Sequence, residues 1–177
     1  RNHSRRHWAK RDIFVLSKAH AAMALYAVLT RKGLLSEKSF FRYFQNDDSL
    51  PAHLDRFTAP PIEVSAGSLG HGFNMAIGLA YGYKLKKDNR RIFTLIGDGE
   101  SQEGSIWEGA LFAAKLKVDN LTAILDYNNL QGYGRPREIC YFEPVRDKWE
   151  AFGWQVAEAN GHNMNEILKA FRKPHQD

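Results

Sequence analysis

The stretch Arg91-Ile92-Phe93-Thr94-Leu95-Ile96-Gly97-Asp98-Gly99-Glu100-Ser101-Gln102-Glu103-Gly104 decides the fold. Its first half is a short apolar run, the pattern of a buried strand. The run stops at two glycines that bracket an aspartate. Polar residues then lead into an apolar-periodic segment that predicts a helix from Gly104 to about Leu116. Buried parallel strands end at one edge of a sheet, and ligands bind just outside those carboxyl ends. Gly97 and Gly99 let the backbone bend and let a ligand come close. Asp98 places a hard oxygen at the same point, which suits Mg²⁺ or Ca²⁺.

A lone Gly-Asp-Gly is most often an ordinary turn. A second apolar run, Leu121–Tyr127, changes its meaning, because it too ends in polar residues, Asn128-Asn129. The two stretches lie about thirty residues apart, enough for one helical crossover between two parallel strands. Asp98 and Asn128 are then expected at the ends of neighbouring strands. A carboxylate and an amide oxygen converging there can hold a cation that keeps positions for phosphate oxygens.

The remaining elements follow from periodicity. Ile13–Leu16 reads as a short strand. A helix is expected from Lys18 to about Lys32, with Ala21, Leu25, Val28 and Leu29 as its apolar stripe and Gly33 as its stop. Ser36 reads as the cap of a second helix through Phe44, with Glu37 in its first turn. Residues 46–61 form a polar, proline-containing loop, of a length that is functional or disordered in a compact domain. Ser65–Gly72 is a small-residue turn leading into a helix from about Phe73 to Lys86, in which Gly78 and Gly82 are expected to permit close packing. After a loop at Gln131–Pro144 come a helix around Val145–Phe152, a strand at Trp154–Ala157, and a helix from its cap Asn163 to Phe171. Strands alternating with helices imply an α/β fold, a mostly parallel sheet with helices on both faces.

The chain has 177 residues, room for one domain with a sizeable core. No apolar run approaches the ~18 residues of a membrane span, and without a charged-then-apolar stretch in this sequence, export is not expected. The single cysteine, Cys140, cannot form an internal disulfide, so a reducing, cytoplasmic compartment is the expectation. The net charge is +5, with Arg1, Arg5, Arg6, Lys10 and Arg11 crowded at one end. Such a run is usually a solvated face or arm, and no nucleic-acid motif accompanies it. Residues 1–10 are therefore read as a basic arm or the remnant of an amino-terminal helix, and 11–177 as one cofactor-binding domain. Neither nucleic acid nor membrane is an expected partner.

In order along the chain, Phe14-Val15-Leu16-Ser17-Lys18-Ala19-His20, Pro51-Ala52-His53-Leu54-Asp55, Gly67-Ser68-Leu69-Gly70-His71-Gly72, Gly97-Asp98-Gly99, Gln102-Glu103-Gly104, Trp107-Glu108 and Asn128-Asn129 resemble blocks of the transketolases. The last four resemble that family's thiamine diphosphate motif. The resemblance runs from about Arg11 to about Gly161. It implies the diphosphate-binding domain of the thiamine diphosphate-binding fold, and transfer of a two-carbon ketol unit between sugar phosphates.

The resemblance also implies roles. Asp98, Asn128 and the backbone carbonyl of Leu130 match the ligands of Mg²⁺, for which Ca²⁺ or Mn²⁺ are possible substitutes. His20, Gly67, Ser68, Leu69, Gly97, Asp98, Gly99, Glu100, Glu103, Asn128 and Leu130 match positions around the cofactor, with Glu103 at a subunit contact. His20 and His53 match two histidines that face cofactor and substrate, a task suited to a group whose proton moves near neutral pH. Ala19 stands where the family usually has glycine, and Ala52 and Leu54 replace the usual glycine and proline around His53. These departures bear on loop shape and substrate preference.

Ser68-Leu69-Gly70-His71-Gly72 is more similar to the amino-terminal subunits of transketolases split over two polypeptides than to full-length enzymes, where glutamine is common at the position of His71. The family's activating glutamate, and most of its sugar-phosphate arginines, lie in a second, pyrimidine-binding domain. A carboxyl-terminal partner subunit, self-association, and inactivity of this chain alone are therefore expected. Two other readings stand beside this one: another thiamine diphosphate enzyme, such as a 2-oxoacid dehydrogenase component or a deoxyxylulose phosphate synthase, and a non-catalytic cofactor-binding subunit.

Overall fold

Ile92–Gly97 forms β2, the middle strand of a three-stranded parallel sheet, in a computed structural model that describes residues 11–46 and 49–172. β1 (Ile13–Leu16) lies on one side and β3 (Leu121–Asp126) on the other. The register pairs Ile13 with Ile92 and Ile92 with Leu121, and it sets Gly97 beside Asp126. Successive strand residues face opposite ways. Ile13, Val15, Ile92, Ile96 and Leu121 accordingly enter one apolar cluster. Leu16 and Leu95 enter another.

Helices cover both faces, as the alternation of elements requires. After a 3-10 turn at Ala19–Ala21, α1 (Ala22–Arg31) packs Ala22, Tyr26 and Leu29 with Leu16. α2 (Glu37–Phe40) follows, capped by Ser36, whose Oγ accepts the Ser39 N–H at 3.0 Å. On the opposite face lie α3 (His71–Leu85) and α4 (Gly104–Lys115). They bury Phe73, Ala76, Ile77 and Ala80 together with Ile106, Ala110 and Ala113. A short helix, α5 (Pro136–Ile139), interrupts the long loop after β3, and α6 (Val145–Ala151) adds Trp149 to the same cluster. α7 (Met164–Arg172) returns to the α1 side, where the rings of Phe171 and Phe93 lie 5.9 Å apart.

Close packing seats α3 against the strand ends. A methyl on Gly72 would lie 2.7 Å from Ser17 Cα, so the first turn of α3 rests directly on the residue after β1. A methyl on Gly109 would lie 2.2 Å from Asn74 Oδ1. Asn74 Nδ2 in turn donates to the carbonyls of Gly70 at 2.8 Å and Ser105 at 3.0 Å, joining α3 to the start of α4. The glycines expected to permit such packing, Gly78 and Gly82, face open space instead. The apolar stripe of α3 lies on its other side, and glycine there reflects no neighbour.

Three further expectations are adjusted. The helix expected through Phe44 ends at Phe40, and turns carry the chain onward. The helix expected from Lys18 begins as the 3-10 turn. Trp154–Ala157 is not a strand. Its alternation is kept, since Trp154 and Val156 pack on the core, but Trp154 spends its indole N–H on the Ala110 carbonyl at 3.0 Å. Residues 1–10, read as a basic arm, lie outside the described residues. No helix among the described residues is long and apolar enough to cross a membrane.

Candidate functional site

Because Gly97 is in register with Asp126, the residues just beyond β2 and β3 share one edge of the sheet. Asp98 is buried there, 3% exposed. Its Oδ1 accepts the Gly99 N–H at 2.7 Å, while Oδ2 is buried with no hydrogen-bond partner. A buried carboxylate oxygen left unpaired costs about 1–3 kcal/mol or more, which marks it as a group suited to a ligand. From the neighbouring strand, Asn128 Oδ1 accepts the Leu130 N–H at 2.9 Å and keeps a second lone pair. Asn129 between them has φ 61°, a left-handed turn that asparagine tolerates. The two loops touch: a methyl on Gly99 would meet Gln131 Oε1 at 3.1 Å.

The oxygens this edge offers are a carboxylate and an amide. Such a set fits a hard cation that retains positions for phosphate and water. Among the described residues no three His, Cys, Asp or Glu side chains are placed to hold a metal ion.

Glu100 takes a different place. It is 3% exposed. Its Oε1 accepts the Ser17 hydroxyl and the Gly70 N–H, the latter at 2.9 Å, and Oε2 accepts the Gly97 N–H at 3.2 Å. Ser17 Oγ accepts the Phe73 N–H at 2.8 Å. One carboxylate thus ties the ends of β1 and β2 to the turn before α3. Glu100 acts through backbone it holds, with its side chain turned inward. Gly70, at φ 80°, occupies the left-handed region that favours glycine.

His20 and His53 come together. Their ring centroids are 5.0 Å apart, edge to face, and both side chains are accessible to solvent. His20 is placed by the 3-10 turn after β1. His53 is placed by its neighbours: the Tyr26 hydroxyl, buried in α1, donates to the Pro51 carbonyl at 3.2 Å, and Ala66 N–H donates to the Leu54 carbonyl at 3.0 Å. Burial of that phenol pushes its pKa up to about 12. A methyl on Gly67 would lie 3.5 Å from the His53 ring, so the Gly67-Ser68-Leu69 turn runs beside the histidine pair. An open depression of about 310 Å³ lies along this turn, bordered by Gly67, Ser68 and His71. Glu103 stands exposed at the start of α4, its Cβ 3.7 Å from a methyl on Gly70.

Several participants carried no mark in the sequence. Ser17 and Lys18 sit inside a block read for its histidine, and Asp126 and Gln131 flank the asparagine. Their contacts depend on register between distant strands. Tyr127, next to Asn128, donates a hydrogen bond from its hydroxyl to the Glu143 carboxylate. That bond pushes the phenol up to about 12 and, with the Val145 N–H, holds the Glu143 carboxyl below its usual range.

Comparison with known proteins follows the same lines. Residues 1–177 match the family model described as transketolase, thiamine diphosphate binding domain. The chain is 44% identical over 163 residues to the 6-deoxy-6-sulfo-D-fructose transketolase subunit SqwG of Clostridium sp. (strain MSTE9), a match covering 92% of this chain and 59% of that protein. It is 42% identical over 173 residues to a subunit of the apulose-4-phosphate transketolase of Phocaeicola vulgatus, covering 94% and 61%. The Homo sapiens transketolase is 43% identical over 165 residues, covering 90% of this chain and 26% of that protein. Among solved structures, the transketolase of Campylobacter jejuni superposes with a TM-score of 0.86 at 33% identity, over 94% of this chain and 27% of that one. The chain thus spans about three fifths of the subunit-sized relatives and about a quarter of the full-length enzymes. On the match of the whole chain to that domain, it belongs to the transketolase family and has the thiamine diphosphate-binding fold.

Proposed function

We propose that this chain is the diphosphate-binding part of a transketolase-like transferase that moves a two-carbon ketol unit between sugar phosphates. The observation that carries the reading is the buried, unpartnered Asp98 Oδ2 at the strand end next to that of Asn128. In this proposal Asp98, Asn128 and the Leu130 carbonyl hold Mg²⁺, with Ca²⁺ or Mn²⁺ as substitutes. Gly97, Gly99 and the Gly67-Ser68-Leu69 turn present backbone to the cofactor. Glu100 shapes that backbone, and Glu103 stands where a partner closes the site. Thiamine diphosphate, when bound, supplies the electron sink that lets a ketose carbon–carbon bond break.

The protein's own part is to bind, orient and move protons. His20 and His53, 5.0 Å apart, can bracket one sugar, hold its hydroxyls and carry a proton to or from its carbonyl oxygen. Two relatives bear subunit names, which supports a second, pyrimidine-binding polypeptide as partner, with self-association completing the assembly. A cytoplasmic location fits this metabolic role.

The test is to titrate the purified chain with thiamine diphosphate and Mg²⁺, then assay ketol transfer with and without a pyrimidine-domain partner. The expected result is metal-dependent cofactor binding and turnover only with the partner. Robust turnover by the chain alone would refute the split assembly, and indifference to cofactor and metal would refute the site.

A further inference from the structure

At the carboxyl edge of the sheet, beside the candidate metal ligands, one carboxylate oxygen collects two donors from different parts of the chain. Asp126 Oδ2 accepts from Lys18 Nζ at 2.6 Å and from Asn128 Nδ2 at 3.1 Å. Lys18 belongs to the segment after β1, Asp126 ends β3, and Asn128 follows it by two residues. The lysine is itself well placed: its N–H donates to the Leu95 carbonyl at 3.1 Å, and its Cβ lies 3.7 Å from a methyl on Gly97. Its side chain is only 20% exposed.

We infer that Asp126, held by Lys18, is a positioning residue that fixes the Asn128 amide with its oxygen turned toward the metal site. The inference rests on the proposed cofactor role of this edge. The two ends of an asparagine amide are nearly the same shape but opposite in hydrogen-bonding sense. An ionised carboxylate only accepts, so it selects the Nδ2 end. The oxygen is thereby directed the other way, where the Leu130 N–H also requires it. Without Asp126 a single backbone bond is left to prefer one orientation over the other.

Lys18 contributes a second effect. It occupies the Asp126 carboxylate and balances its charge, so that Asp126 remains a support for Asn128 and not a competing ligand. Partners behind a metal's ligands are worth about 10–100-fold in metal affinity, and the Asp126 contact is of this kind. Lys18 acts one step further away, so its effect is smaller.

The experiment is calorimetric titration of Mg²⁺, and of Mn²⁺ as a second probe, into the full chain at fixed thiamine diphosphate. Asp126→Ala is expected to raise the metal concentration for half-saturation by about 10–100-fold, and Lys18→Met by less. In an Asn128→Ala background Asp126→Ala should add nothing, because its effect runs through that amide; a merely structural role would add in full. If Asp126→Ala does not fold, Asp126→Asn, which loses the charged partnership with Lys18, is expected to weaken metal binding severalfold at an unchanged ligand-free melting temperature. Wild-type affinity in both Asp126 variants, or full additivity with Asn128→Ala, overturns the inference alone. Failure of the wild-type chain to bind metal and cofactor at all overturns the proposed function, and the inference with it.

Discussion

The rings of His20 and His53 stand edge to face with centroids 5.0 Å apart and planes inclined at 79°. The two come from segments more than thirty residues apart, one after β1 and one in the loop that Tyr26 and the Leu54–Ala66 bridge hold down. Neither ring packs into the core, so removing one leaves the fold intact. His53→Ala is expected to bind thiamine diphosphate and Mg²⁺ as wild type does. With the pyrimidine-domain partner present, it should lose about 10²–10⁴-fold in kcat, the usual worth of a placed proton carrier. Steady-state kinetics beside a cofactor titration checks this; an unchanged kcat removes His53 from the proposed chemistry.

Asp98 should show opposite effects on stability and on binding. Its buried Oδ2 lacks a partner, a cost the ligand-free protein carries. Asp98→Asn removes the charge at nearly constant volume. The variant without ligand is expected to melt at or above the wild-type temperature. Wild type should gain about 2.7 kcal/mol at cofactor concentrations near one hundred times Kd, and Asp98→Asn should gain none. Thermal melts with and without Mg²⁺ and thiamine diphosphate measure both quantities together.

Gly72 tests the seating of α3. A methyl there would lie 2.7 Å from Ser17 Cα, a backbone atom that cannot rotate away. Gly72→Ala is expected to cost about 1–3 kcal/mol in urea unfolding, the range for overpacking a tight core. Ser17→Ala in the same protein should recover none of the loss, because the clash with Ser17 Cα persists and the buried Glu100 carboxylate and Phe73 N–H lose the hydroxyl they bond. Full recovery would show that the hydroxyl alone sets the distance.

Glu143 gives a pH dependence with a definite sign. The Tyr127 hydroxyl and the Val145 N–H lower its pKa from an ordinary value of 4.5. A carboxyl whose pKa is depressed by folding contributes stability that is complete above its unfolded pKa and disappears as pH falls through its folded one. The melting temperature of Glu143→Gln should therefore lie further below wild type at about pH 6 than at about pH 3. A gap that stays constant across that range would dissociate Glu143 from acid stability.

The parts of the fold and of the candidate site that the sequence made legible are those in which one short segment carries both the strand and the polar residues that follow it. Ile92–Ile96 and Leu121–Leu125 announce buried strands, and the polar residues straight after them must lie at the sheet edge. Asp98 and Asn128 follow at once, because parallel register needs only two such runs. Trp154–Ala157 shows the limit. Alternation states which side chains turn inward, and Trp154 and Val156 do so, but it does not provide a neighbouring strand to pair with. Glu100 shows a second limit. An acid beside Gly-Asp-Gly reads as a cofactor contact, whereas its donors, Ser17 and Gly70, lie 83 and 30 residues away. Lys18 and Asp126, 108 residues apart, were hidden for the same reason.

The Glu100 carboxylate also couples three separate parts of the chain. It accepts from the ends of β1 and β2 and from the turn that opens α3, all beneath the surface. Water solvates the charge in the open chain, so a penalty arises only if the carboxylate is buried without these donors, and losing one of them makes burial with the rest less favourable. The sheet edge and the first turn of α3 are therefore expected to open and close as one unit, which hydrogen exchange would show as matched protection at the Gly70 and Gly97 amides.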